Sequence, residues 1–252
     1  MGAPVGSKRI EGQLSATSAT YLTGFEGPVM LAYGASKLRC TGFLRDIVGG
    51  CAIKPRYRKI AVRPDAPDGT ITEGTAVTTE VTGGFSQDFS LTSLGAFMFV
   101  QPLLGKAATT GAGECYAMMQ SWTDTVARVV ARQTFVVTPS TNTSQTQILP
   151  IGTPFPAFGL TGVMVAIAAR GVSGSPAIDL VTRTYIGDPS IPSAWDTTGL
   201  IGTDKVFSST SEDYNTGNLA WAPADVAFGQ LGLWIPAVNA NATFDVIVAA
   251  KY

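Results

Sequence analysis

Apolar and polar positions alternate with period two over several stretches of this chain, the pattern of a strand with one face buried. Val77, Thr79 and Val81 alternate, Gly83-Gly84 follows, and Phe85, Gln87, Phe89 and Leu91 alternate again. That reads as a hairpin with a two-glycine turn. Ala96–Leu104 is a short apolar run fit for a buried strand. Gln120–Gln133 is ambiguous: Trp122, Val126, Val129 and Val130 fit one helical face, but Thr125–Val137 is rich in β-branched residues, and strand is the reading taken. Val163–Tyr185 reads as strand, Gly/Ser/Pro turn, strand, and Gly229–Tyr252 as a second hairpin around Asn239-Ala240-Asn241. In the last strand Phe244, Val246, Val248 and Ala250 share a face, expected inside against Leu231, Leu233 or Ile235. The 186–228 segment, rich in Gly, Pro, Asp, Ser and Thr, reads mostly as loop.

These elements predict an all-β protein, a β-sandwich or jelly roll. Residues 1–30 are small, polar and Gly-punctuated and read as an extended arm or irregular strands. The RPDAPDG segment, Arg63–Gly69, has the residues of a turn or linker and sets the predicted boundary. Residues 1–65 are then a basic N-terminal arm or docking segment, and 66–252 the sandwich body. No internal repeat or low-complexity tract stands out.

Composition narrows the chemistry. The 252 residues contain no histidine, and only 14% are charged. Histidine is the usual proton shuttle at neutral pH and a common metal ligand. Its absence excludes Ser-His-Asp and Cys-His hydrolases, HExxH proteases and His-ligated zinc. Cys40, Cys51 and Cys115 are odd in number and lack CxxC spacing, so they read as buried reduced thiols. Leu160–Ala169, the longest apolar stretch, is half of the ~20 residues a membrane helix needs. The opening MGAPVGSKRIEG has no apolar core of a secretion signal. The expectation is a soluble protein made in a cytoplasm, with no membrane contact, no cofactor and no metal.

Charge adds one candidate site. Residues 1–63 carry ten Lys/Arg against three Asp/Glu, and residues 64–252 seven against fifteen. The cluster Lys54, Arg56, Arg58, Lys59, with Arg63 close by, interleaves cations with Tyr57. Such a stretch suits docking on an acidic subunit or on nucleic acid phosphates. A second candidate is the aromatic set Trp195, Tyr214 and Trp221 in or beside the long loop, which fits a sugar- or receptor-binding face as well as core plugs. Glu212, Asp213, Asn215 and Asn218, like Asp65 and Asp68, lack the ligand spacing of a calcium loop. Tyr33-Gly34-Ala35-Ser36-Lys37 matches a dehydrogenase pattern but has no nucleotide-binding strand-turn-helix before it.

The C-terminal third, VMVAIAARGVSGSPAIDLVTRTYIGDPSIPSAW and LGLWIPAVNANATFDVIVAAKY, resembles β-sandwich modules of tailed-phage virion proteins, the decoration and tail-associated kind. The resemblance implies a virion structural role without catalysis: a subunit of the capsid shell, decoration layer or tail that contacts other copies of itself and other virion proteins. The alternatives are a carbohydrate- or receptor-binding module using the 186–228 loop and, third, a glycoside hydrolase on a β scaffold, which needs two carboxylates and no histidine.

Overall fold

The computed structural model describes residues 3–15, 21–27, 29–49, 52–63, 65, 71–77, 85–90, 99–106, 112–123, 127–138, 147–185, 190, 192–197, 205–219, 221, 223, 226–236 and 240–252. For residues 3–15, 21–26, 106, 119–123 and 218 the description is of backbone alone. Among the described residues every regular element is a strand, as the alternation predicted. The chain divides into two units, Met1–Thr125 and Val126–Tyr252.

The first unit holds β1 (Ala3–Ser15), β2 (Tyr21–Glu26), β3 (Met30–Leu31), β4 (Lys37–Val48), β5 (Ile53–Ile60), β6 (Ile71–Glu73), β7 (Phe85–Ser90), β8 (Phe99–Lys106) and β9 (Ala112–Thr123). One sheet has the order β1-β9-β4-β7 and the other β2-β8-β5-β6, with β3 also on β8. Leu38, Cys40 and Leu44 of β4 meet Ile53 and Tyr57 of β5 and Val100 and Leu104 of β8 in one core. The residues read as an arm or docking segment are therefore strands of this unit. β4 lies between two partners in one sheet and β5 between two in the other. The division of the chain falls between β9 and β10, not at Arg63–Gly69, because the first and last strands of the unit pair with each other. Most of Arg63–Gly69 lies outside the described residues. β7 pairs with β4; Thr79, Val81 and the Gly83-Gly84 turn of the predicted hairpin lie outside the described residues.

The second unit holds β10 (Ala127–Val137), β11 (Gln147–Pro156), β12 (Gly162–Ser173), β13 (Ala177–Tyr185), β14 (Lys205–Val206), β15 (Asp213–Leu219), β16 (Phe228–Ile235) and β17 (Asn241–Lys251). Its sheets are β10-β17-β12-β15 and β11-β16-β13-β14. The ambiguous Gln120–Gln133 stretch is strand on both sides of residues 124–126, which are not described. Phe244, Val246 and Val248 point inward and share a core with Leu231, Leu233 and Ile235. The two hairpins predicted here are corrected. β12 and β13 lie in different sheets, as do β16 and β17, so each connection crosses the sandwich. The reason is burial from opposite sides: Val163, Val165 and Ile167 face Ile178 and Leu180 across one core. Alternation fixes which face is inward but not which strand lies beside it. The 186–228 segment also supplies β14 and β15. The polar sequence of β15 hid it, since that strand lies at the end of its sheet's order, against β12 alone.

Both units have the same topology. Counting the eight main strands of each in chain order and leaving β3 aside, the sheets run 1-8-3-6 and 2-7-4-5, the two-Greek-key order of a jelly roll. Irregularities recur as well, 125 residues apart. Register shifts follow Pro4 and Val129 in the first strands, and Arg45 and Arg170 in the third. Left-handed backbone follows at Asp46 and Gly171, and at Gly49 and Gly174. Asp46 is the one non-glycine with positive φ among the described residues, at 54° against 60° for Gly171. Ile53 and Ile178 are both buried in their fourth strands. Later in each unit the spacing grows to 129, matching Phe99, Gln101 and Leu104 of β8 to Phe228, Gln230 and Leu233 of β16. The chain is thus an internal repeat, which corrects the sequence reading.

Candidate functional site

β5 presents the basic cluster. Lys54, Arg56 and Arg58 share one face by strand periodicity, opposite the core residues Ile53 and Tyr57. Lys54 Nζ lies 3.2 Å and Arg56 Nη2 2.8 Å from the Glu73 carboxylate on β6. The Arg56 guanidinium lies over Gly105, where an added Cβ would stand 2.5 Å from its central carbon, and Arg56 is buried. Arg58 Nη1 donates to Gln101 Oε1 at 3.4 Å. Lys59 and Arg63 are half-buried. Elsewhere in the unit Arg39 pairs with Asp88 at 2.6 Å, and its guanidinium holds Asp88 below the ordinary carboxylate range. Arg45 reaches Glu114. Counted by structural unit, residues 1–125 hold eleven Lys/Arg and ten Asp/Glu, and 126–252 six and eight. The large charge split of the linear sequence is mostly balanced within each unit.

The arginine–glutamine pair recurs in the second unit. Arg183 stands opposite Gln230 just as Arg58 stands opposite Gln101. Gln230 Oε1 accepts from Arg183 Nε at 2.9 Å, Arg183 Nη2 at 2.6 Å and the Tyr185 hydroxyl at 2.7 Å. Its amide donates to Gly152 O at 2.5 Å. Gln230 and Tyr185 are buried, so the network is a costly one to break. Trp195 covers it: the Arg183 guanidinium stacks on the indole at 4.3 Å, and the ring's edge lies over Gly232, where a Cβ would come within 2.8 Å. The Ser193 and Asp196 amides bond Thr184 O at 2.9 Å and Thr182 O at 2.7 Å, which fixes the segment along β13. Gln230→Leu should therefore cost about 1–2 kcal/mol by chemical denaturation, from the stranded Tyr185 hydroxyl and guanidinium. A loss within error would show that the network relaxes onto other partners.

The three aromatics singled out in the sequence are not brought together. Trp221 lies over Gly229 and packs edge-on against Phe155 at 6.0 Å, beside the core. Gly229 and Gly232, three residues apart on β16, face opposite sides of the sheet. Tyr214 packs edge-on to Phe207 at 6.4 Å, with Lys205 Nζ 5.6 Å above its ring. Trp195 is the one half-exposed on the outer face. Sequence reasoning missed Gln101 and Gln230; their signal is a glutamine at the same place in two strands of otherwise apolar character.

Among the described residues no three His, Cys, Asp or Glu side chains gather as a metal site. Cys40 and Cys115 are buried in the first core; Cys51 lies outside the described residues. Burial pushes the Cys40 thiol up to about 12 from 9.0. Because the folded value is the higher one, this group's contribution to stability is full below pH 9 and is lost as pH rises toward 12. In the native protein Cys40 should resist a thiol reagent at pH ~8 that labels it promptly in denaturant; equal labelling rates would contradict its burial. No helix among the described residues is long and apolar enough to cross a membrane, a finding that does not bear on β-barrels.

No protein-family model matches the chain, and no curated protein matches it. Solved structures similar to it include the CBM22-1–CBM22-2 tandem domain of Paenibacillus barcinonensis Xyn10C, at TM-score 0.29, 9% identity and coverage of 99% of this chain and 98% of that one. The PBSX exported protein XepA gives TM-score 0.29 and 10% identity over 100% and 86%. A protein of Sulfolobus Turreted Icosahedral Virus gives TM-score 0.23 and 8% identity over 98% and 60%. These likenesses are too distant to carry a function.

Proposed function

We propose that this chain is a virion structural subunit, of a shell, decoration layer or tail, that acts through repeated contacts between copies and with other virion proteins and performs no catalysis. The observation that supports this most is the doubled jelly roll whose polar side chains are arranged as cross-strand pairs on broad sheet faces: Arg39–Asp88, Lys54–Glu73, Arg56–Glu73 and Arg170–Asp245. Jelly rolls serve viral capsids and lectins alike, so the step from fold to virion is one of analogy. Weak contacts multiplied by symmetry would give such a subunit its strength. Its place would be the virion, after synthesis in a host cytoplasm.

Mass-spectrometric counting in purified particles tests the reading. Hundreds of copies indicate shell or decoration, and roughly a dozen or fewer a tail position; absence from particles rejects it. Screens against glycoside, ester and phosphoester substrates should stay at background, and turnover abolished by one carboxylate substitution would favour the hydrolase alternative. Contact with an acidic subunit or nucleic acid through Lys54, Arg58, Lys59 and Arg63 should weaken as salt passes ~0.15 M. A carbohydrate- or receptor-binding role is the second reading, favoured by the half-exposed Trp195 held on Arg183. Glycan binding lost in Trp195→Ala would establish it.

A further inference from the structure

One side of β13 pairs with β16, and its other side is closed in pieces. The backbone groups that point away from β16 belong to Ile178, Leu180, Thr182 and Thr184, since ladder bonds alternate along a strand. At one end β14 pairs with Ala177 and Ile178, and Phe207 N donates to Pro176 O at 2.9 Å. In the middle the buried Asp179 turns its carboxylate onto the Leu180 amide, Oδ1 accepting at 2.7 Å. At the other end a strap, residues 192–197, takes the place of a strand. Asp196 N donates to Thr182 O, Ser193 N donates to Thr184 O, and Ser193 Oγ accepts from Thr184 N at 3.1 Å. The first unit closes the same stretch with β6, which runs along Arg56, Tyr57 and Arg58 and is tied by Glu73 to Lys54 and Arg56. By the 125-residue spacing Thr182 matches Tyr57, so Asp196 stands where Thr72 does and Trp195 where Ile71 does.

Those backbone bonds are a slight hold for a segment in which Pro192, Ser193, Ala194, Asp196 and Thr197 are all exposed. Trp195 is the exception in the strap, half-buried where its neighbours are not. Its ring leaves the strap, crosses the outer face of the sheet, stacks on the Arg183 guanidinium at 4.3 Å and ends over Gly232 on β16. The guanidinium is itself held by Gln230 Oε1 at 2.9 and 2.6 Å. Room for the indole depends on the glycine; the first unit has the buried Leu103 at that place, 129 residues earlier. We propose that residues 192–197 are an edge guard latched by Trp195, a conformational device that keeps the outer side of β13 from taking a strand of another copy. An open edge presents N–H and C=O groups that template such pairing. Release of the latch uncovers Thr182 and Thr184, while β14 and Asp179 keep the rest of the edge shut. The device is independent of the virion reading.

Hydrogen exchange of the full chain tests the latch. In Trp195→Ala the Thr184, Ser193 and Asp196 amides should exchange about tenfold faster than in wild type, while the amides of β16 and β17 keep their protection. Gly232→Ala should do the same with the indole still present, because a Cβ there comes within 2.8 Å of the ring. Sedimentation velocity at matched concentrations tests the guard: both variants should self-associate about tenfold more tightly than wild type. Wild-type exchange at the three amides in both variants would refute the latch. Faster exchange with unchanged association would refute the guard. If Trp195→Ala loses protection throughout the unit, Gly232→Ala decides on the same two readouts.

Discussion

Phe244→Ala should destabilise the protein by about 3–5 kcal/mol, the range for truncating a fully buried phenylalanine. Phe244 is 0% exposed. It stands opposite Phe135 on β10 and Ala169 on β12, and its ring packs at 5.3 Å and 63° on Phe207. Phe207, also fully buried, follows β14 at the edge of the opposite sheet, so one ring joins strands from both layers. Truncation leaves a cavity that three strands cannot collapse together to fill. Chemical denaturation gives the size of the loss, and hydrogen exchange should assign it to the second unit. A change of only a few tenths would mean that this face of β17 is not the core.

Gly42→Leu should cost about 3 kcal/mol, the upper end of the overpacking range, in the first unit. β4 and β9 approach so closely there that a Cβ on Gly42 would overlap the Tyr116 carbonyl oxygen and come within 2.8 Å of the Ala117 Cα. Those are backbone atoms in a sheet that continues on both sides, so relief requires the β4–β9 ladder itself to open. Just beyond, Phe43 and Tyr116 stack at 5.1 Å with planes 9° apart, a pairing that depends on this register. Loss of exchange protection should spread along β4 and β9. Because Gly42 and Phe244 belong to different units and share no strand, the two losses should add. Wild-type stability in Gly42→Leu would show that the ladder has room the geometry denies.

The sequence made the face of each strand legible and its neighbour illegible. Phe244, Val246 and Val248 could be set inward from alternation alone. The same alternation suggested hairpins where the chain crosses between sheets, since a short Gly/Ser turn serves either path. β15 escaped notice because an edge strand of Asp, Tyr, Asn and Thr has no apolar run to reveal it. The basic cluster stood out as linear charge, but its neutralising partner Glu73 lies on another strand, β6. Of the aromatic candidates, Trp221 belongs beside a core and only Trp195 to an outer face. The repeat was hidden because its matches are few and scattered over turns, bulges, single polar positions and isolated apolar ones such as Ile53 and Ile178, and because the spacing changes by four between the two halves of each unit.

Each jelly roll closes by joining its first strand to its last: β1 to β9 and β10 to β17. On a ribosome, β1 must therefore wait until residues 112–123 emerge before its ladder can form. Closing so long a segment is entropically costly, and long-range pairing of this kind is slow. By the time β10 is made, the chain carries two first strands and is about to carry two last ones, all of the same handedness and similar length. A β1 that missed β9 would meet in β17 a partner of the same kind, the exchange error typical of tandem repeats. The divergence of strand residues between the halves guards against it. Phe135 stands opposite Phe244 in the second unit, whereas the corresponding Ile10 stands opposite Ala117 in the first, so the two ladders offer an opening strand different sequences. The same sequence distance that conceals the repeat would disfavour that exchange.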